Sequence, residues 1–277
     1  MKKIVLTGAR GALGSLLRAP LAALAEELVS TDIREAPADL LPNERFVQAD
    51  LTDLAAFEAL MQGAEMVVHF GAIPDEAPFE ELLGPNFIGA YTVWEAAHRV
   101  GARRVVYASS VHAAGMSETM AGLDTDAPHD PDTFYGLSKC FAEDMGRMMW
   151  KKRGLEAVCL RIMSCTPEPQ NARALHTWLS HGDLVRLVEA AVTTPVTGFT
   201  VAWGVSANTR APVSNHKVAF LGYRPRDNAE DWADRLLPTP KTPDPSDPAQ
   251  RSLGGPFAVV PLGESGVAAI KRMSAGD

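Results

Sequence analysis

Cysteine is scarce: Cys140, Cys159 and Cys165 are the three in 277 residues. They are too few and wrongly spaced for a disulfide framework or a zinc site, so reduced thiols in a reducing compartment are expected, with no bound metal. Long apolar runs are missing too. None approaches the ~18 residues that a membrane-spanning helix needs. The basic N-terminus carries only Ile4-Val5-Leu6 as an apolar stretch, short of the ~7–15 residues of a secretory signal. A cytoplasmic protein is expected. Positive charge is in deficit, with 26 Lys+Arg against 34 Asp+Glu and a formal net charge of −8. An acidic surface repels phosphate backbones, which argues against nucleic acid as a partner. What remains is ordinary globular usage, 46% hydrophobic and 22% charged, which excludes a disordered or collagen-like chain. At roughly 150 residues per domain the length allows one or two domains.

The first half alternates strand and helix patterns. Lys3–Thr7, Leu28–Asp32, Arg45–Gln48, Met66–Phe70, Arg104–Ser109 and Glu156–Arg161 read as strands. Leu13–Leu24, Leu54–Met61, Pro85–Val100 and Phe134–Arg153 read as helices, with Pro20 a blemish in the first and Pro85 suited to a first turn. Such alternation predicts βαβ units, a parallel sheet and a doubly wound α/β fold of the Rossmann kind. After Ile162 the pattern thins to a helix at Asp183–Thr193, a strand near Thr200–Trp203 and a helix at Asn228–Leu237. From Pro238 to Pro256 proline is dense, which predicts an extended segment. The expected organisation is a dinucleotide-binding core over 1–161, pocket-shaping insertions and remaining core elements over 162–237, and a proline-rich tail over 238–277. Only a small C-terminal region is then left for substrate binding, rather than an independent second domain.

The run Thr7-Gly8-Ala9-Arg10-Gly11-Ala12-Leu13-Gly14 follows a predicted strand and opens a predicted helix. There, glycines let the backbone turn tightly and approach a pyrophosphate at the positive helix N-terminus. Asp32 ends the next strand, where a carboxylate meets the adenosine ribose hydroxyls and repels a 2′-phosphate. That favours NAD over NADP, although Arg10 and Arg34 are both placed to pair with such a phosphate. Asp50-Leu51 reads equally as an adenine contact or as the approach to a helix N-cap.

Tyr135-Gly136-Leu137-Ser138-Lys139 sets a phenol and an ammonium on one helix face. Half-ionising a phenol of pKa ~10 near pH 8 takes ~2.7 kcal/mol, and a cation ~4 Å away supplies ~4 kcal/mol at an effective dielectric of ~20. Lys139, helped by an oxidised nicotinamide ring, is therefore expected to make Tyr135 a general base. Ser109-Ser110 ends the strand one crossover earlier, at the sheet's carboxyl edge where ligands bind.

Together the glycine loop, Asp32, Asn86, Ser110, Tyr135 and Lys139 resemble the extended short-chain dehydrogenase/reductase superfamily. Asn86-Phe87-Ile88-Gly89 is similar to its Asn-x-x-Gly helix start, and Leu221-Gly222-Tyr223-Arg224-Pro225 to a late loop. A narrower resemblance, to the uronate dehydrogenase family, is carried by several runs. They are Ser109-Ser110-Val111-His112, Tyr135 to Phe141, Thr177 to His181, Trp203 to Asn208 and, most specifically, Arg161-Ile162-Met163-Ser164-Cys165-Thr166-Pro167-Glu168-Pro169. It extends from the first strand to about Gly255.

That resemblance implies NAD-dependent oxidation of a hexuronic acid, D-galacturonate or D-glucuronate, at C1 to the aldaro-lactone. It implies Tyr135 as base, Ser110 on the same oxygen, and Lys139 lowering the Tyr135 pKa and holding the nicotinamide ribose. It implies a cofactor lining of Gly8, Arg10, Gly11, Ala12, Leu13, Gly14, Asp32, Ile33, Asp50, Leu51, Phe70, Gly71, Ala72, Asn86, Ser109, Ile162 and Cys165, joined by Tyr135 and Lys139. For the substrate it implies Arg173 on the carboxylate, with Pro74, Ser110, Val111, His112, Tyr135 and Ser164. Arg173 also reads as a surface loop arginine, and His112 as a satisfied core histidine. Two departures stand out: Val111 where the family pattern has asparagine, and Pro74 where it has serine. They bear on sugar specificity and leave the proton-transfer residues intact. A nucleotide-sugar epimerase or dehydratase would share the fold and Tyr135/Lys139 but need a larger C-terminal region. An NAD-sensing module would have no use for Ser110, Tyr135 and Lys139 together. Long helices at Pro85–Val100 and Phe134–Arg153 suit the interface of a homo-oligomer.

Overall fold

The computed structural model describes residues 1–119, 122–238, 244 and 246–275. Seven strands form one parallel sheet in the order β3-β2-β1-β4-β5-β6-β9. The first half runs β1 (Lys3–Thr7), α1 (Gly14–Leu24), β2 (Glu27–Asp32), β3 (Glu44–Gln48), α2 (Leu54–Met61) and β4 (Met66–His69). It continues through α3 (Phe79–Leu82), α4 (Gly89–Arg99) and β5 (Arg104–Ser110). Then come α5 (Phe134–Arg153), β6 (Glu156–Ile162), a small pair β7 (Ser164–Cys165) and β8 (Trp178–Leu179) flanking α6 (Ala174–Thr177), α7 (His181–Thr193) and β9 (Phe199–Gly204). Three short helices close the order: α8 (Ala233–Leu236), α9 (Pro248–Arg251) and α10 (Gly266–Ala275).

Alternate side chains of each strand feed opposite faces. Ile4 and Leu6 enter one core with Leu17 and Leu21 of α1 and Leu184 and Leu187 of α7. Val5 enters the other with Phe57 of α2, Trp94 of α4 and Met149 of α5. This is the doubly wound arrangement, and the strand order reverses between β1 and β4. A crevice therefore opens at the carboxyl ends of those two strands.

Gly8 turns out of β1 with φ +68°. A Cβ there would come within 2.6 Å of the Phe70–Gly71 backbone beyond β4, and one on Gly14 would overlap the Gly8 carbonyl oxygen. These two glycines serve chain-on-chain packing as much as ligand approach. Gly14→Ala is expected to cost about 1–3 kcal/mol of stability by overpacking. A lower urea midpoint at unchanged slope would register it, and an unchanged midpoint would contradict it.

Three elements depart from the sequence expectation. The helix written as Pro85–Val100 begins earlier, at Phe79, and widens to a π-helix over Leu83–Ile88 before α4. Pro85 thus lies inside a helix, and the wider turn accommodates its ring and its missing N–H. The stretch Asn228–Leu237 divides into a 3₁₀ turn, Ala229–Trp232, and α8, with the Asn228 side chain capping the turn. In the tail, 239–243 and 245 lie outside the described residues. Residues from 246 onward are not simply extended: α9, a 3₁₀ turn at Gly255–Val259 and α10 follow one another. Leu253 donates its N–H to Ser117, Gly254 donates its own to Gly115, and Glu118 and Ser252 form an antiparallel bridge. This segment is laid over the loops that follow β5.

Candidate active site

A cavity of about 540 Å³ occupies the crevice between β1 and β4. Gly8, Gly11, Asp32, Ile33, Asp50, Leu51, Phe70, Gly71 and Ala72 line it as expected from sequence. Asp32 is positioned from both sides. Its Oδ2 accepts the Arg10 backbone N–H at 2.9 Å, and its Oδ1 accepts the Arg34 N–H and Nε. Arg34 is therefore engaged with the carboxylate, while Arg10 contributes its backbone. Asp50 instead bonds Thr52, and it is Asp53 that caps α2, so the N-cap alternative falls to another residue.

Four observations test whether a dinucleotide fits. The cradle at Gly8 has no room for a side chain. No acidic residue lies in the first turn of α1 and no side chain caps it, which leaves its N–H dipoles for an anion. Asp32 presents a fixed carboxylate at the cavity. Thr31, also in the lining and 1% exposed, has a hydroxyl without a hydrogen-bond partner. The chemistry of the lining suits a pyrophosphate at one end and a ribose diol at the other.

Not every predicted cofactor residue lines this cavity. Ala12, Leu13 and Gly14 lie in the loop and at the start of α1. Asn86 is buried and clamps the Ile73 backbone through both ends of its amide, while donating to Ser138. Ser109 donates to buried Glu143 at 2.5 Å. Ile162 ends β6, and Cys165 lies in β7 with its thiol pushed up to about 12 by burial, which makes it a poor nucleophile.

Helix α5 starts beside the carboxyl end of β5. Thr133 caps it through the Gly136 N–H, and Gly154 ends it in the left-handed region. Tyr135 sits in the first turn and donates its backbone N–H to Glu76. One turn on, the Lys139 ammonium donates to the Ala108 carbonyl at 2.9 Å and lies 5.2 Å from the Tyr135 ring centroid. Burial pushes the Tyr135 phenol up to about 12; the Ser110 hydroxyl works against this, and Asp75 and Asp132 add to it. Burial pulls Lys139 down to about 7, with Glu143 opposing. The sequence arithmetic, which weighed the Lys139 charge against an unperturbed phenol, is therefore corrected for burial. Desolvation acts on both groups, and it moves the phenol the other way.

The putting-together of the second half is non-local. His112 Nδ1 bonds Asp132 at 2.8 Å, and its ring stacks on Phe257 at 4.1 Å and meets the Tyr135 ring edge-on at 5.9 Å. Arg173 donates to Ser164 at 3.2 Å and to the Leu253 carbonyl at 2.7 Å. Among the described residues it has no carboxylate within ion-pair distance. Burial lowers its pKa to about 10, and Asp132 only partly offsets that. A desolvated guanidinium without a carboxylate partner has the chemistry to pair with an anion. Val111 points its side chain into an apolar cluster with Ala127, Trp203 and Leu253, so only its backbone remains for a ligand. Pro74 is exposed in the loop after β4. Sequence reasoning missed Thr7, Thr31, Glu76, Asp132 and Phe257. Thr7 opens the quoted glycine run and Thr31 precedes Asp32; Phe257, beyond the stretch of family resemblance, carried no local signal.

The sequence profile of the NAD dependent epimerase/dehydratase family matches residues 4–198. The chain is 44% identical to a uronate dehydrogenase from Agrobacterium fabrum over 95% of this chain and 98% of that one. A crystal structure of a mutant uronate dehydrogenase from Agrobacterium tumefaciens, complexed with NAD, superimposes with a TM-score of 0.88 at 44% identity, covering 94% and 98% of the two chains. One of a glucuronic acid dehydrogenase from Chromohalobacter salexigens gives 0.89 at 39% identity over 94% and 97%. The chain belongs to the NAD dependent epimerase/dehydratase family and, within it, to the uronate dehydrogenases.

Proposed function

We propose that this protein oxidises a hexuronic acid, D-galacturonate or D-glucuronate, at C1 to the aldaro-lactone, with NAD as acceptor. The observation that carries the substrate class is Arg173: a desolvated guanidinium with no carboxylate partner among the described residues, held by Ser164 and Leu253 beside the Tyr135 side of the site. Its planar fork matches a sugar carboxylate.

NAD supplies a hydride acceptor at its nicotinamide C4. Asp32 would hold its ribose hydroxyls, and the backbone at Gly8 and Gly11 its pyrophosphate. Tyr135 takes the proton of the C1 hydroxyl as the C1 hydride leaves, and Ser110 bonds the same oxygen. Lys139 favours the phenolate when charged. His112 donates Nδ1–H to Asp132, which leaves Nε2 to accept from a sugar hydroxyl. Phe257 covers the His112 ring and narrows the site to a monosaccharide.

Among the described residues no helix is long and apolar enough to cross a membrane. A cytoplasmic homo-oligomer is the reading that suits this chemistry. Support for self-association comes from Tyr91 of α4 and Leu137 and Phe141 of α5, all exposed; sedimentation as a monomer would overturn it. The activity itself is tested by incubating the protein with NAD and a panel of uronic acids and aldoses, following NADH absorbance. Turnover of galacturonate or glucuronate above the matching neutral aldoses is expected. Turnover of galactose with none of galacturonate would sink the carboxylate role of Arg173.

A further inference from the structure

Beneath the proton-transfer residues lies a second, fully buried polar cluster. Glu143 follows Lys139 by one turn of α5, and none of its surface is exposed. Its carboxylate accepts Ser109 Oγ of β5 at 2.5 Å, Arg161 Nε and Nη2 of β6 at 3.0 and 2.9 Å, and His129 Nε2 at 2.9 Å. Tyr135, Lys139 and Glu143 thus follow one another at helical spacing along a single face. Burying a carboxylate is costly unless it is paired and hydrogen-bonded, and here Arg161, Ser109 and His129 meet that cost.

We propose that Glu143 is a positioning residue: its carboxylate ties β5, β6 and α5 together beneath the site and places a negative charge one helical turn from the Lys139 amine, biasing that amine toward protonation, an inference that rests on the reading of Tyr135 and Lys139 given above. The surroundings of both groups support it. Lys139 is faced by the Tyr107 ring and the Ala108 carbonyl from β5 and by His69 from β4. Tyr135 and Glu143 face it from its own helix. His69 is driven down to about 3 by burial and stays neutral. Tyr107 is pushed far up and stays neutral as well. Glu143 is faced by Ser109, Arg161 and His129, and by the thiols of Cys140 and Cys159; Asp144 lies on the far side of His129. Its hydrogen bonds hold it down to about 2, so it is ionised at any working pH. It is the group whose charge opposes the desolvation of Lys139. Ser109, fixed by the same carboxylate, sets the backbone that presents Ser110.

The test is a titration of the cofactor-free protein labelled with ¹³C at lysine Cε, the Lys139 signal being assigned by its absence in Lys139→Arg. In the parent the midpoint is expected near neutrality. Glu143→Gln is nearly isosteric but removes the charge and one accepting oxygen, and should lower the midpoint by about one pH unit. Glu143→Asp keeps the charge and should hold it near the parent value. In the NAD-loaded enzyme, the acid limb of kcat for Glu143→Gln should move to higher pH, because a less charged Lys139 favours the phenolate less. A carboxylate that serves structure alone would lower Tm and leave both midpoint and limb in place. If Glu143→Gln folds poorly, Glu143→Gln/Arg161→Gln removes the ion pair without stranding the arginine and, because a nearby cation goes with the carboxylate, should lower the midpoint by less than Glu143→Gln alone. An unmoved midpoint, or an equal shift with aspartate, overturns the role given to Glu143. Turnover retained by Tyr135→Phe overturns the assigned base instead.

Discussion

Tyr135→Phe should lose about 10²–10⁴-fold in kcat while still binding NAD, the range expected when a positioned general base is removed. The substitution deletes one hydroxyl and leaves the ring against His112 and beneath the Lys139 ammonium. Asp32, Gly8 and Thr31 are at the other end of the site and are untouched. Steady-state NADH formation and a fluorescence titration with NAD separate the two effects. Weakened NAD binding with near-normal turnover at saturation would place Tyr135 in the cofactor site and not in proton transfer. The pH behaviour follows from the environment. The free phenol stands near 12 and the free ammonium near 7, each because burial disfavours its charged form. Between those values both are neutral, so the phenolate forms only where a neighbouring positive charge stabilises it. Lys139→Met should accordingly raise the acid limb of kcat as well as lower its height.

Arg173→Met should reduce kcat/KM for a uronate by roughly 30- to several-thousand-fold, the 2–5 kcal/mol cost of removing one partner of a buried charge pair. Neutral aldoses should lose far less. Arg173 also bonds Ser164, Thr177 and the Leu253 carbonyl, so some loss common to all substrates is expected from loosening that corner. The ratio of uronate to aldose turnover removes this common part. A ratio that stays at the parent value would mean that Arg173 holds the 252–259 segment and does not read the carboxylate. Gly255 makes that alternative concrete, because its backbone packs directly on the guanidinium with no room for a Cβ.

The elements with strong local signals were legible in the sequence. Helix α5 has the expected bounds because Thr133 caps one end and Gly154 stops the other. The glycine run and Asp32 meet at one cavity because a parallel βαβ unit brings consecutive strand ends together. What escaped was set by distant partners. Asp75 acts on Tyr135 from a loop far earlier in the chain, and no pattern around Tyr135 announces it. The π-helical widening at Leu83–Ile88 turns on how Pro85 is accommodated, where a first-turn position was the simpler local reading. Val111 looked like a lost amide contact, yet its side chain belongs to the apolar cluster closed by Leu253. The most consequential omission is the 252–266 segment, whose proline-rich approach read as an extended tail.

That segment gives the protein an order of completion during synthesis. The Gly8 cradle and Asp32 emerge first, and the sheet through β9 is available by Gly204. Leu253, Phe257 and Gly263 arrive last, and Gly263 docks on Glu76, 187 residues earlier, the carboxylate that also holds the Tyr135 backbone. A ribosome-bound chain can therefore own a finished dinucleotide cradle and a proton-transfer pair while its sugar site has no roof. A chain stopped short of Leu253 is left in that half-made state, with Arg173 and the His112 ring open to water.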